Sequence, residues 1–437
     1  MRWSEWRALL SKDCRELFGS TALLLLLLVA GPLTGVAFIA AVRAYAEASG
    51  GGALASALSP LDGMLVPAFG AYDLLITFLV PFVAIRLVAA EKSSGALQLL
   101  LQTPARLPAQ LASKLIALLA GWLACLLPAA AALLLWRSWG GHLAFPETAN
   151  LLLGHTLRYL VTCSIAIAAA SILNGAASAA IVVLSFTIGT WALDFFAAGR
   201  GGWPAAVARY TPSAILRQFE RGLLGFDVVI ASIIVTIALL SIAAIWTAAA
   251  RPPLLKAAAA AAALILAIAA IAATQHAGSA DLSEDRRNSF SSADERLLRS
   301  IEKTVTIRIF LAAEDPRAND YERNVLTKMR RSLRDLRIEY PYAGRTAMFD
   351  NDDRYGTIVY RIGAKEAVSR SATEEIVLDE METLAGLTPP RRGQSDYPGY
   401  PLNASPRGAA TLFYVVWPLL VIVFFVIARR PYSRRTG

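Results

Sequence analysis

Eight apolar stretches, each long enough to cross a bilayer, run along the chain in an uneven order. Seven come first, a charged block follows over residues 275–408, and one last stretch closes the sequence. About 20 apolar residues cross the hydrocarbon core. The spans read at 21–42, 65–89, 114–136, 151–173, 176–197, 227–249, 253–273 and 410–428. Only Asn174-Gly175 separates the fourth from the fifth. Two helices and a tight turn fit there better than one helix of roughly 70 Å. The pattern predicts a polytopic α-helical membrane protein of about eight transmembrane helices, with an extracytoplasmic α/β domain inserted before the last. The divisions are 1–250, a six-span domain; 251–274, the seventh helix; 275–408, the α/β domain and its linker; and 409–437, the last helix with a basic tail.

Within the charged block the period alternates between that of helices and that of strands. Ser292-x-x-Glu295 has the form of a capping box, opening a helix through Leu297, Leu298 and Ile301. Val305, Ile307 and Ile309 alternate with polar residues, as in a half-buried strand. Tyr321, Val325, Met329 and Leu333 recur every fourth residue, which predicts an amphipathic helix. Strands follow at 336–340 and 356–362. Thr373 with Glu374 and Glu375 starts a last helix that turns Ile376, Val377, Met381 and Leu384 inward. Residues 389–408 are rich in Pro and Gly and read as a linker. A block of this size can bury a core of its own.

Charge sharpens the picture. The block 275–408 holds 21 of the 42 Lys and Arg and 22 of the 33 Asp and Glu, so the excess of positive charge lies in the membrane part. There it sets orientation and points to no nucleic acid. With the N-terminus inside, the inner segments carry 14 basic residues: Arg2, Arg7, Lys12, Arg15, Arg86, Lys92, Arg106, Lys114, Arg251, Lys256, Arg429, Arg430, Arg434 and Arg435. Seven fall outside or in outer span ends: Arg43, Arg137, Arg158, Arg200, Arg209, Arg217 and Arg221. The block is then extracytoplasmic, and both termini are cytoplasmic in a bacterial inner membrane. The first span is longer than a signal-peptide core and reads as an uncleaved anchor.

Ile215, Leu216, Phe219, Leu223 and Leu224 share one helical face, and Arg217, Gln218, Glu220 and Arg221 the other. This predicts a short helix lying in the outer lipid interface. Asp73 and Asp194 are acids within or at the outer ends of spans, the kind of residue that faces a cavity or a partner. The cysteines, Cys14, Cys125 and Cys163, lie outside the charged block. His142 and His276 read as loop residues and His155 as an interfacial one. No residue set suits a metal, and none forms a catalytic group: Gly-x-Ser-x-Gly, His-Glu-x-x-His and the phosphate-cradling Gly-x-x-x-x-Gly-Lys are all absent.

The sharpest motif is Glu91-Lys-Ser-Ser-Gly-Ala-Leu-Gln-Leu-Leu-Leu-Gln-Thr-Pro104, between the second and third spans, with Lys114 beyond it. Leu97, Leu100 and Leu101 form a stripe at helical spacing, Gly95 precedes it, and Pro104 stops it. A protein groove can take that stripe, and Glu91 with Lys92 can orient it. The segment closely resembles the Glu-(Arg/Lys)-x-x-Gly-(Thr/Ala)-Leu-x-x-Leu-Leu-x-x-Pro signature of type-two ABC exporter permeases. The resemblance covers residues 1–250 and includes Tyr210-Thr-Pro-Ser-Ala-Ile-Leu-Arg-Gln-Phe-Glu-Arg-Gly-Leu-Leu224 before the sixth span. Residues 253–437 resemble a shortened auxiliary component of gliding-motility-type ABC transporters. The matching stretches are Asp281-Leu-Ser-Glu, Ser289-Phe-Ser-Ser and Lys303-Thr-Val-Thr-Ile-Arg-Ile-Phe-Leu311.

These resemblances imply a permease subunit that hydrolyses no ATP and binds no cofactor itself. A separate ABC ATPase docks on the helix at 91–104. Two permeases pair, as a homodimer or a heterodimer, among membrane lipids, and the α/β domain meets a cell-envelope partner. A reading of another class is a non-transporting membrane scaffold that presents the α/β domain to such partners. The transported substrate is not legible in the sequence.

Overall fold

The computed structural model describes residues 3–50, 58–102, 106–197, 203–248, 252–274, 277–312, 315–342, 354–390 and 397–429. Two compact units emerge. One comprises 1–188, 227–276 and 398–437; the other comprises 189–226 and 277–397.

The first unit opens with an amphipathic helix, α1 (Trp3–Phe18), which is not a span. The first membrane-length helix is α2 (Thr21–Ser49). A π turn at Leu61–Leu65, α3 (Val66–Phe78) and α4 (Val80–Ser93) together make the second, and α5 (Ala96–Leu101) follows. The third is α6 (Leu107–Cys125) with α7 (Leu127–Ser138). Next come α8 (Phe145–Ile172) and α9 (Ala176–Ala197), whose last turns fall in the second unit. That unit also holds α10 (Trp203–Ala208), α11 (Pro212–Glu220) and β1 (Leu223–Gly225). Then α12 (Phe226–Thr247) and α13 (Pro253–Ala273) lead to the α/β block. Among the described residues, eight helices are long and apolar enough to cross a membrane, in the order the apolar pattern predicts.

Tyrosine and glycine explain much of the first unit's packing. Pro128 removes a backbone donor where α6 meets α7, freeing groups that lipid cannot satisfy. The Tyr72 hydroxyl donates to the Cys125 carbonyl at 3.0 Å and accepts from the Ala129 N–H at 3.1 Å, so α3 repairs that break. On α2, Gly31 and Gly35 lie one turn apart and form a groove. A Cβ at Gly31 would lie 1.9 Å from Trp417, and one at Gly35 2.5 Å from Phe413. Trp417 also donates its indole N–H to the Leu27 carbonyl at 2.7 Å. The final span thus beds into the first. It runs through α18 (Ala409–Thr411), a π turn at Leu412–Val416 and α19 (Trp417–Ala428). Sequence order alone groups that span with the α/β block. The described part of the 389–408 linker is likewise fixed: the Tyr400 N–H donates to Leu58 O, and Tyr45 donates to Tyr400 O at 2.6 Å. The buried share differs widely among spans, from 67% of α8 to 6% of α13.

In the second unit, β2 (Ser279–Asp281) precedes α14 (Ser292–Arg299) and β3 (Val305–Ile309). Next come α15 (Pro316–Tyr321), a π turn at Glu322–Leu326, α16 (Thr327–Ser332) and β4 (Leu336–Glu339). The block ends with β5 (Ile358–Ile362), β6 (Lys365–Ser369) and α17 (Glu374–Ala385). The sheet order is β4-β3-β5-β6, with β3 and β4 parallel and the other pairs antiparallel. Leu298, Ile307, Met329, Tyr360, Val377 and Met381 share one core cluster.

Several expectations are corrected here. The helix cap is Ser291, whose hydroxyl accepts from the Asp294 N–H, one residue before the expected box. Ile376 is 46% exposed, and Leu378 points inward in its place. Leu223 and Leu224 are not helical; they lie in β1, because Gly222 adopts φ +76° and ends the helical run. Strand β6 escaped notice because its side chains are mostly exposed and only Gly363-Ala364 separates it from β5.

Candidate coupling site

Residues 91–114 and the helices that hold them form the best-defined polar site. Glu91 ends α4 at 3% exposure. Its carboxylate meets the Lys114 ammonium of α6 at 2.7 Å and also pairs with Lys12 of α1. Asp13, fully buried on α1, lies 3.4 Å from Lys114 and 3.2 Å from Lys12 and accepts from the Ser113 hydroxyl. Three helices are therefore pinned by one network of alternating charge. Burial pulls the Lys12 ammonium down, but the Glu91 and Asp13 carboxylates outweigh it and hold it above its ordinary value. Burial pushes the Glu16 carboxyl up, and the charge of Glu91 adds to that shift. Asp13, Glu16 and Glu91 bring carboxylate oxygens within 4.8 Å of one another, a spacing that could hold a cation. The ammonium groups of Lys12 and Lys114 already supply that charge, so the residues do not call for a metal.

Lys92, the next residue, does something different. Its ammonium takes the carbonyls of Ala170, Ser171 and Leu173 at 3.0, 3.1 and 2.7 Å. A cation there satisfies the open carbonyls at the end of α8 and complements its dipole. Gly95, at φ +75°, turns the chain and starts α5, as only glycine does at low cost. Within α5 the expected stripe is only partly turned outward. Leu97 and Leu100 are half-buried, and the Leu100 carbonyl accepts from the Gln110 side chain at 3.1 Å. Leu99, outside the expected stripe, is 68% exposed. The Leu101 side chain and Pro104 lie outside the described residues.

The two singled-out acids both have partners. Asp73 of α3 pairs with Arg158 of α8 at 2.6 Å, and Arg158 also donates to the Thr77 hydroxyl at 3.0 Å. Arg158 is 3% exposed and sits mid-way along α8, a buried charge at a position that the apolar pattern places in an outer span end. His155, expected at the interface, is fully buried one turn away, beside the Phe69 and Tyr72 rings. His142 stacks on Tyr400 at 3.6 Å between ring centres; His276 lies outside the described residues. In the second unit, Asp194 accepts from the Thr211 hydroxyl and pairs with Arg217 at 3.0 Å. Ile215, Leu216 and Phe219 are covered by protein, so α11 does not offer its apolar face to lipid. Arg221 presents its carbonyl to the Asn288 side chain at 2.6 Å.

A further tie was absent from the sequence reading. Strand β1, from the segment before α12, pairs antiparallel with β2 at the start of the α/β block. The Leu282 N–H donates to Gly222 O at 2.8 Å, and a Cβ at Gly222 would strike Ser283 at 2.8 Å. Asp281 holds the loop that follows. It accepts from the Ser283 and Asn288 N–H groups, from the Asn288 amide, and from the Ser283 and Ser289 hydroxyls. Burial raises its carboxyl, yet these bonds prevail and leave it below its ordinary value. Asp281 and Ser289 are thus accounted for as a structural staple.

Lys12, Asp13 and Ser113 were missed. One signal was available: Asp13 lies on the same face of α1 as Leu10 and Leu17, a phase where a carboxylate is buried only if paired. No protein-family model matches the chain, and no curated protein or solved structure is similar enough to count as a match.

Proposed function

We propose that this chain is the permease subunit of an ABC exporter in a bacterial inner membrane, powered by a separate ATPase. The carrying observation is α5: a short helix begun by left-handed Gly95, exposing Leu99, and braced where Glu91 binds α1 and α6. A partner that engages Leu99 would push on a rigid three-helix junction. Lys92 extends that junction to the end of α8, and mid-way along α8 the Asp73–Arg158 pair joins α3 and α8 again. Movement at the dock would therefore reach spans two and four together. ATP is hydrolysed in the partner, the permease works as a pair, and the α/β domain lies outside the cytoplasm.

The test is pull-down of the ATPase that accompanies the intact chain. Leu99→Asp places a charge at the exposed contact without disturbing this chain's own core. A buried unpaired charge at the dock costs several kcal/mol, so ATPase recovery should fall at least tenfold while insertion is unchanged. Wild-type recovery would sink the docking role. A scaffold without transport remains the second reading, favoured by the β1–β2 tie between residues 223–225 and the α/β block. Substrate-dependent ATPase activity in vesicles separates the two.

A further inference from the structure

We propose that a cleft on the open face of the β4-β3-β5-β6 sheet binds a small phosphate monoester that carries an apolar body. Val305, Ile307 and Ile309 of β3 and Ile358, Tyr360 and Ile362 of β5 lie in one core cluster with Leu298 of α14, Met329 of α16 and Val377 of α17. The helices thus cover one face of the sheet, and alternation turns Arg308, Val359 and Arg361 to the other. The register carries that face on to β6, where Val368 stands opposite Val359 and Glu366 opposite Arg361. A cavity of about 530 Å³ opens there, bounded by residues of β3, β5 and β6 and by Arg354. Its size falls within the range of small-molecule pockets, roughly 300–1,000 Å³.

The lining sets the chemistry of the occupant. Part of it is apolar: Phe310 and Val359 are buried, and Val368 beside them is 61% exposed. The rest is basic. Arg308, Arg354 and Arg370 line the cleft against one acid, Glu366, which leaves a net charge of +2 among the described lining residues. Adding the ion-pair partners Arg361 and Glu339 does not change that balance. Glu366 shows what the cleft attracts. Its bond to Arg361 at 2.6 Å, with the charges of Arg361, Arg308 and Arg354, holds its carboxyl below the ordinary value. Arg308 meets Glu339 through Nε at 2.8 Å, so its terminal nitrogens stay outside that bond, and Arg370 is exposed just past β6. A phosphate monoester near neutral pH carries about two negative charges, which matches the lining. Guanidinium forks grip its oxygens in pairs. An apolar body on the ester would cover Val368, which a bare ion would leave in water. The inference does not rest on the permease reading, and no ATPase enters its test.

Naphthyl phosphate is the probe, titrated calorimetrically into the full-length chain in phosphatidylcholine nanodiscs, with the heat of empty discs subtracted. The expected result is saturable binding at one site per chain, with naphthol and inorganic phosphate each weaker by about tenfold or more. Arg370→Gln takes one guanidinium from the lining and should weaken the ester about tenfold. Glu366→Gln removes the acid that opposes the ligand and should tighten it about threefold. Both side chains are exposed, so neither change disturbs the core. A merely structural role for these residues would not move the two affinities in opposite directions. Absence of saturable binding overturns the proposal, as does an unchanged affinity in Arg370→Gln. Naphthol as tight as the ester would remove the basic lining from the account, and inorganic phosphate as tight would remove the apolar part; each overturns it. The same head group could belong to a soluble ester or to a lipid, and discs that also carry phosphatidic acid separate the two. Unchanged affinity there assigns the cleft to a soluble ester, and competition assigns it to a lipid head group; both support the site.

Discussion

Glu91 of α4 and Lys114 of α6 meet at 2.7 Å with both side chains at least nine-tenths buried, two residues that the sequence separates by a turn, a short helix and a masking run of leucines. The pair is the hub of the junction beneath α5, because Asp13 and Lys12 close the charge around it. Each partner keeps a second one, Glu91 its Lys12 and Lys114 its Asp13, so removing either costs less than the roughly 3–5 kcal/mol of a wholly orphaned buried charge. Glu91→Gln and Lys114→Gln should each lower the apparent Tm of the purified protein in micelles. The double variant should lie above the sum of the two losses, with a coupling of at least about 1 kcal/mol. Strict additivity would show that the contact carries no energy.

Gly31 makes a sharper steric prediction. Its missing Cβ would lie 1.9 Å from Trp417, so Gly31→Leu should expel the last span from its groove and lower the Tm by several degrees. Gly70→Leu is the control, since nothing lies within 4 Å of its Cβ. Equal Tm values for the two variants would remove the groove from the account of how the final helix is held.

Local periodicity made the spans, β3, β4 and the main helices of the α/β block legible, because each is a repeating apolar signal within one stretch of chain. What escaped was long-range. Asp13 gains its meaning only from Ser113 and Lys114, and Arg158 only from Asp73. Span positions count Arg158 among outer charges and give no sign that it is buried against Asp73. The motif at 91–104 stands out by its pattern, but the phase of its helix does not. Gly95 sets where α5 starts, and that start turns Leu99 outward and Leu97 partly inward.

Orientation can be checked directly. The 14 basic residues of the inner segments against seven outside predict that the α/β block is extracytoplasmic. A single cysteine at Ser371, in protein without Cys14, Cys125 and Cys163, should react with an impermeant maleimide in intact cells. Reaction only after lysis would invert the topology and place the α/β domain on the ATPase side.

The last prediction concerns how far the α/β domain stands alone. Its own helices and sheet form a core, but β2 pairs with β1, and Asn288 bonds the Arg221 carbonyl. A fragment of residues 277–397 should fold yet melt below a version with residues 203–226 joined by a flexible linker. Asp281 supplies the pH signature. Its folded carboxyl titrates below the ordinary 3.8, so its contribution is complete above that value and lost as pH falls through the lower, folded one. Asp281→Asn keeps the shape but cannot accept all five hydrogen bonds as an anion; a loss of about 2–3 kcal/mol is expected near neutral pH. The difference between wild type and variant should shrink in acid, below about pH 4. A gap that stays constant from pH 7 to pH 3 would mean that the carboxylate's charge contributes nothing to the fold of this unit. Equal melting of the two fragments would mean that the β1–β2 ladder does not brace the domain.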